Sequence, residues 1–403
     1  MKIKEIKARK IFDSNGRDAV EIELTSDVRK ATASIGSGTS VGKYEVVSYP
    51  EKIESVINLF NKEINTSLKG IQINTFDDLD KVERYVKGHD FSDNMKNIGG
   101  NALVALELAI LKTISLDPMY TVLGERKITK MPMPLGNCIG GGKHSGGKGP
   151  DIQEFLILPK VKDFEAAADI NIDVYYKVRE ELKKRDKNFL NVRNMEGGWQ
   201  CSMSNLEIIS MLNKIVDNVA KEYKADIKIG LDVAGNEIWN GRRYEYKNFS
   251  RVTPKKNLSK EEQIEFIRKL IKNNNLAYVE DPLHEDDFGG FEELNKDTEV
   301  ICGDDLIATN PERIKLAENR ISYVIIKPNQ IGSLLKTKEV VMMAKKMKIM
   351  PVISHRSGET NDDSLAHLAV GWECPMIKTG IVGGERVSKI NELLAINEYR
   401  KSI

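Results

Sequence analysis

The 403-residue chain has little of what marks a secreted, membrane-bound or nucleic-acid-binding protein. Its four cysteines, Cys138, Cys201, Cys302 and Cys374, lie far apart and form no C-x-x-C pair. Each sits in or beside an apolar stretch, so the expectation is reduced structural thiols in a reducing compartment, not a disulfide framework. No run of eighteen apolar residues occurs, and the first residues, MKIKEIKARK, lack an apolar signal core. A cytoplasmic protein with no membrane partner is expected. Charge of one sign is also missing. Lys+Arg total 61 and Asp+Glu 60, a net charge of +1, which offers nucleic acid no basic field.

What is present is an ordinary globular composition, 40% apolar and 30% charged, in a chain long enough for a large domain plus a smaller one. Residues 1–128 read as α+β. Lys2 to Lys10 interleaves lysines with Ile3, Ile6 and Ala8, as the solvated face of an edge strand does, and Val20 to Leu24 alternates with period two. Residues 36–45 read as a mobile loop opened by Gly36-Ser37-Gly38-Thr39-Ser40-Val41-Gly42. Helical patterns follow, ending in Asn101–Ser115, and the proline cluster 131–134 punctuates the chain. From residue 129 to 403 short apolar runs (152–158, 227–231, 276–279, 299–302, 323–326, 349–353 and 375–377) alternate with helical segments such as 260–271 and 334–346. Strand–helix alternation predicts a parallel sheet, and the number of units favours a β/α barrel of the TIM type capped by the N-terminal α+β domain.

The residues that end these runs are not ordinary loop residues. In order they are Asp232, Glu280, Asp304, Lys327, Ser354-His355 and Lys378, at intervals from Asp232 through His355 to Lys378 of 48, 24, 23, 28 and 23. A barrel unit takes about 31 residues or somewhat fewer, so one charged or titratable group recurs per unit. In a barrel these positions converge on the C-terminal rim, where barrel active sites form. Asp232, Glu280 and Asp304 offer three hard oxygen donors, and three facing carboxylates repel unless a cation joins them. Mg²⁺ suits carboxylates, waters and substrate oxygens better than zinc does, since no cysteine or histidine joins the three. Lys327, near a metal and other cations, is a candidate general base with a lowered pKa. Arg356 offers a two-point fork, Ser357 a hydroxyl and Lys378 a second cation to an anionic, phosphorylated substrate. His144 in a glycine-rich loop, Gln153 and Glu154 in DIQEFLILP, and Glu196 before Gly197-Gly198 are further candidates.

The motifs together resemble enolase. They run in order over nearly the whole chain: IFDS with Gly16, VEIEL, Ser37-Gly38 with Ser40, DIQEF, Glu196-Gly197-Gly198, Asp232, Glu280-Asp281, GDDL, Lys327 with Asn329-Gln330-Ile331-Gly332, SHRSGET and Ile377-Lys378-Thr379-Gly380. The resemblance implies a hydro-lyase of glycolysis that interconverts 2-phosphoglycerate and phosphoenolpyruvate. It implies two Mg²⁺ ions, one held by Asp232, Glu280 and Asp304 and a second arriving with substrate and held partly through Ser40. Lys327 would take the C2 proton. Glu196, supported by Glu154 and Gln153, would protonate the leaving C3 hydroxyl. Arg356 and Ser357 would grip the phosphate, Lys378 would pair with the carboxylate, and His144 and His355 would line the site. A homodimer or higher homo-oligomer is implied as well.

The chain departs from the family pattern in its loops. Met195 stands where enolases usually carry an aspartate, Lys143 where they carry a glutamate, and Gly36 and Val41 where the loop usually has proline and threonine. Asn15-Gly16-Arg17-Asp18-Ala19 replaces the usual Arg-Gly-Asn-Pro-Thr. Two other functions share the scaffold: a lyase or transferase for another phosphorylated or phosphonylated 2-hydroxy or enol acid, and a binding protein that keeps the fold without catalysis. Lys160-Val161-Lys162 has the spelling of a base motif of related enzymes but follows Pro159, after its strand, and reads as solvated loop.

Overall fold

The computed structural model describes residues 1–39, 41–124, 128, 130–147 and 149–402. An antiparallel meander opens the chain: β1 (Ile3–Phe12), β2 (Asp18–Ser26) and β3 (Lys30–Ser34), with β1 at one edge. Alternation in β2 turns Val20, Ile22 and Leu24 inward, where all three are fully buried. The sheet packs on the helix Gly100–Ile114, which is buried on nearly every side because it lies between the sheet and the segment Pro328–Ile331 of the barrel.

The second part is a closed eight-stranded barrel, β4 (Met133–Gly140), β5 (Glu154–Pro159), β6 (Ile227–Asp232), β9 (Tyr278–Glu280), β10 (Ile301–Gly303), β11 (Tyr323–Ile326), β12 (Met350–Ser354) and β13 (Met376–Lys378). A small hairpin, β7 (Tyr244–Tyr246) and β8 (Lys256–Leu258), stands outside it. The barrel closes where β13 pairs with β4, Met376 opposite Met133. Two expectations need correction. The proline cluster is not mere punctuation, because β4 begins at Met133 and contains Pro134. Nor is the barrel all parallel: β5 runs antiparallel to both β4 and β6. β4 and β5 are joined without a crossover helix, so the chain returns directly, and a direct return is antiparallel.

The reversal positions Glu154. In the other strands the rim residue comes last, but in β5 it comes first, so Glu154 pairs with Asp232 at the end of β6 and Gly140 at the end of β4. Pro159, and with it Lys160, falls at the opposite rim, away from the site. Beneath the rim a separate cluster fills the barrel interior, with members including Leu135, Leu156, Tyr278, Cys302, Ile325, Val352 and Met376. β6 contributes none of these and has Gly230 there, where a Cβ would stand 3.1 Å from the Cβ of Tyr278. All four cysteines are free and buried. Among the described residues no helix is long and apolar enough to cross a membrane.

Candidate active site at the barrel rim

Where the strands end, a single pocket gathers residues from both parts of the chain. Its lining includes Glu45, His144, Gln153, Glu196, Asp232, Asp304, Lys327, His355, Arg356, Ser357 and Lys378. Every sequence candidate among the described residues thus lines the pocket or touches a residue that does. Ser40 lies outside the described residues.

Lys378 is the hub. Its Nζ lies 2.6 Å from Glu154 Oε2, 2.9 Å from Asp232 Oδ2 and 2.8 Å from Glu280 Oε2. The three carboxylates come from the adjacent strands β5, β6 and β9, so the sheet register itself delivers them to one ammonium. Tyr278, rising from the floor, donates its hydroxyl to Glu280 at 2.7 Å, and Asn137 of β4 donates to Glu154 at 2.5 Å. Gln153 donates to Asp232 at 3.3 Å. Burial pushes the Glu154 carboxyl up to about 8, helped by Glu196 and Asp232 and opposed by Lys378. Burial, with the charge of Asp232, also holds Glu280 well above the carboxylate range.

Asp304 is not on this hub. It pairs with Lys327 Nζ and accepts from Gln330 Nε2 at 3.0 Å. The acidic groups whose ligand atoms lie within 4.8 Å of one another include Glu154 with Glu196 and His355, and Asp281 with Asp304 and Asp305. Among the protein's own groups, burial and the charges of Arg356 and Lys378 pull the Lys327 pKa down, but the Asp304 contact outweighs them and leaves it raised.

On the facing side, His144 Nδ1 lies 2.8 Å from Glu196 Oε2. Burial works against both charges, yet the contact prevails: Glu196 is held below and His144 above its ordinary value. His355 is different. Burial and Arg386 hold it well below 6.5, so it is neutral, and Arg386 donates to its Nδ1, which puts the ring proton on Nε2. Arg386 also donates to Met195 O at 2.7 Å. Met195 itself meets the loop, with Thr39 Oγ1 3.5 Å from its sulfur. Lys143 points outward to Glu237 Oε1 at 3.2 Å.

The loop that begins at residue 36 is seated over this site. Ser37 and Gly358 exchange two backbone hydrogen bonds, 2.7 and 3.0 Å, and Gly36 is pressed so close that a Cβ would fall 2.3 Å from Gly358 O. Asn101 and Asn329 both donate to Gly36 O, at 3.1 and 2.9 Å. Arg17, one of the departures, is anchored on Asp13 and donates to Ser37 O at 2.7 Å and Gly38 O at 3.1 Å. Sequence reasoning missed Arg17, Glu45, Asn137 and Arg386 as site-supporting residues. Only Asn329 and Gln330 lay within a recognised motif.

Two family descriptions match the chain: "Enolase, N-terminal domain" over residues 3–120 and "Enolase, C-terminal TIM barrel domain" over residues 128–402. The chain belongs to the enolase family. Proteins named enolase from three archaea are each 38% identical to it. That of Methanothermobacter thermautotrophicus aligns over 98% of this chain and 96% of its own length. That of Pyrobaculum aerophilum aligns over 99% and 97%, and that of Archaeoglobus fulgidus over 99% and 98%. The two matches cover both parts of the chain with no large segment left over.

Proposed function

We propose that the protein is a Mg²⁺-dependent hydro-lyase that interconverts 2-phosphoglycerate and phosphoenolpyruvate. The observation that carries this reading is one pocket holding a lysine, a carboxylate–histidine pair, an arginine–serine pair and an excess of acid. The lining has seven carboxylate side chains against three basic side chains, Lys327, Arg356 and Lys378. An anionic substrate entering such a pocket meets repulsion, and the raised carboxyls of Glu154 and Glu280 express the same excess. Hard divalent cations fit this donor set, and Asp232, Glu280 and Asp304 are the residues that would hold one. Bound there, Mg²⁺ would supply positive charge against the negative charge building on the substrate carboxylate, and Asp304, serving as one of its donors, would no longer hold Lys327.

The chain's own residues do the rest. Lys327, once released from Asp304 and having given up its ammonium proton to solvent, would accept the proton from C2 as a neutral amine. Glu196 and His144 share one proton across a 2.8 Å contact, and Glu196 hands it to the departing C3 hydroxyl. Arg356 and Ser357 hold the phosphate, and Lys378 counters the carboxylate. Neutral His355 keeps the wall polar without adding charge. The test is ultraviolet absorbance as the conjugated enol acid forms from 2-phosphoglycerate with Mg²⁺. A chelator-sensitive rise at an ordinary enzyme rate supports the reading. No rise in protein that binds both Mg²⁺ and 2-phosphoglycerate rejects it in favour of another phosphorylated acid.

Met195 gives a second check. The Met195→Asp variant restores a carboxylate beside Glu196 and removes the thioether against Thr39. Activity on 2-phosphoglycerate is expected to stay the same or rise. A large loss of kcat/KM would mean that the site is tuned to a different substrate.

A further inference from the structure

Each cation lining the pocket has a carboxylate against it, and for all but one that carboxylate belongs to the barrel. Lys378 faces Glu154, Asp232 and Glu280, Lys327 faces Asp304, and His144 faces Glu196. Arg356 is the exception. Its partner is Glu45, from the N-terminal part, just after the glycine-rich loop. Glu45 Oε2 lies 2.8 Å from Nη1 and Oε1 lies 3.1 Å from Nη2, with the two side chains 2% and 4% exposed. This is the two-point geometry with which a guanidinium takes a phosphate. The same segment covers the neighbouring hydroxyl: Thr39 N–H donates to Ser357 Oγ at 2.7 Å, and the two hydroxyls lie 2.9 Å apart.

We propose that Glu45 is a built-in occupant of the anion fork, a positioning residue that the substrate phosphate must displace from Arg356. The proposal rests on reading Arg356 as the phosphate anchor. Glu45 is poised for exchange rather than withdrawal of the whole segment. Its neighbours are docked independently: Tyr44 donates to Asp286 at 2.6 Å with the Arg313 guanidinium 3.6 Å from its ring centre, and Val46 N–H donates to Gln330 O at 2.9 Å. Glu45 Oε1 also accepts from Gly42 N–H at 3.0 Å, so moving the carboxylate frees that N–H and leaves the turn on the Glu45 N–H to Gly42 O bond of 3.2 Å alone. Arrival of phosphate is thereby transmitted to the glycine-rich loop, and Glu45 sets a threshold. A ligand must offer a better anion than a carboxylate to take Arg356, which favours a phosphate dianion over a simple carboxylate.

The test is the dissociation constant of inorganic phosphate, by calorimetry at fixed Mg²⁺, for the full chain and for Glu45→Gln. Removing a charged competitor worth a charge-assisted hydrogen bond is expected to tighten phosphate about ten- to a hundredfold. KM for 2-phosphoglycerate falls with it, and kcat changes less. Unchanged or weaker phosphate binding overturns the proposal and makes Glu45 a brace for Arg356. Arg356→Gln separates that failure from failure of the underlying reading: if it leaves phosphate affinity intact, Arg356 is not the anchor at all. Should Glu45→Gln not fold, amide exchange in the unmodified protein decides. Saturating phosphate is expected to speed exchange at Gly42 N–H, and slower or unchanged exchange there overturns the proposal.

Discussion

The Lys327→Ala variant is expected to lose exchange of the C2 proton of 2-phosphoglycerate with solvent deuterium, and its kcat to fall by about 10²–10⁴, the usual contribution of a positioned general base. Lys327 directly follows β11 with its ammonium on Asp304, and no other lysine among the described residues lines the pocket except Lys378, which is engaged by three carboxylates. The fold should tolerate the change, since Gln330 still donates to Asp304 at 3.0 Å. Mg²⁺ affinity should hold or rise, because the ion no longer competes with an ammonium. The readout is deuterium incorporation by mass spectrometry. Full exchange in the variant would remove Lys327 as the base.

Lys378→Met is expected to have the largest effect on stability. It deletes the one ammonium that serves Glu154, Asp232 and Glu280, all within 3 Å of it and all buried. Breaking a buried ion pair by removing one partner costs about 3–5 kcal/mol, because the remaining charge is left uncompensated in a low-dielectric site. Denaturant unfolding of the metal-free variant should show that loss. Because the same carboxylates are the proposed metal donors, saturating Mg²⁺ should restore more stability to the variant than to the unmodified protein. Equal Mg²⁺ stabilisation of both proteins would contradict the assignment of Asp232 and Glu280 as donors. Catalysis should remain poor even with Mg²⁺, since the substrate carboxylate has lost its cation.

How these residues were and were not legible in the sequence follows from what a local pattern can carry. Asp232, Glu280, Lys327 and Lys378 each close an apolar run, and the run marks both the strand and the place where it meets the rim. Strand direction leaves no such mark. A buried run reads the same in either sense, so β5 looked like one more parallel strand although Glu154 opens it. β4 was obscured because prolines 132 and 134 look like breaks. Pro134 is tolerated within that strand, opposite Ile377 of β13. Pairing between distant segments is silent too: Glu45 and Arg356 are 311 residues apart, and nothing near either one names the other. Met195 and Lys143 were legible as departures, but not that one touches the loop through sulfur while the other turns to Glu237.

The seam between β13 and β4 has a consequence for how the protein is made. The chain leaves the ribosome from its N-terminus, so β4 emerges early and then waits for Met376–Lys378, more than 230 residues later, before its outer edge is paired. Throughout that interval the growing sheet has two open edges, β4 on one side and the newest strand on the other, both built from apolar residues that invite pairing with a stranger. The hub ammonium of Lys378 sits in the last strand to arrive, so the acids of β5 and β6 share their corner without a cation until the circle closes. Completion of the barrel and neutralisation of its most crowded charges are therefore a single late event of synthesis. Termination between β9 and β13 leaves an open sheet whose clustered acids lack the Lys378 ammonium.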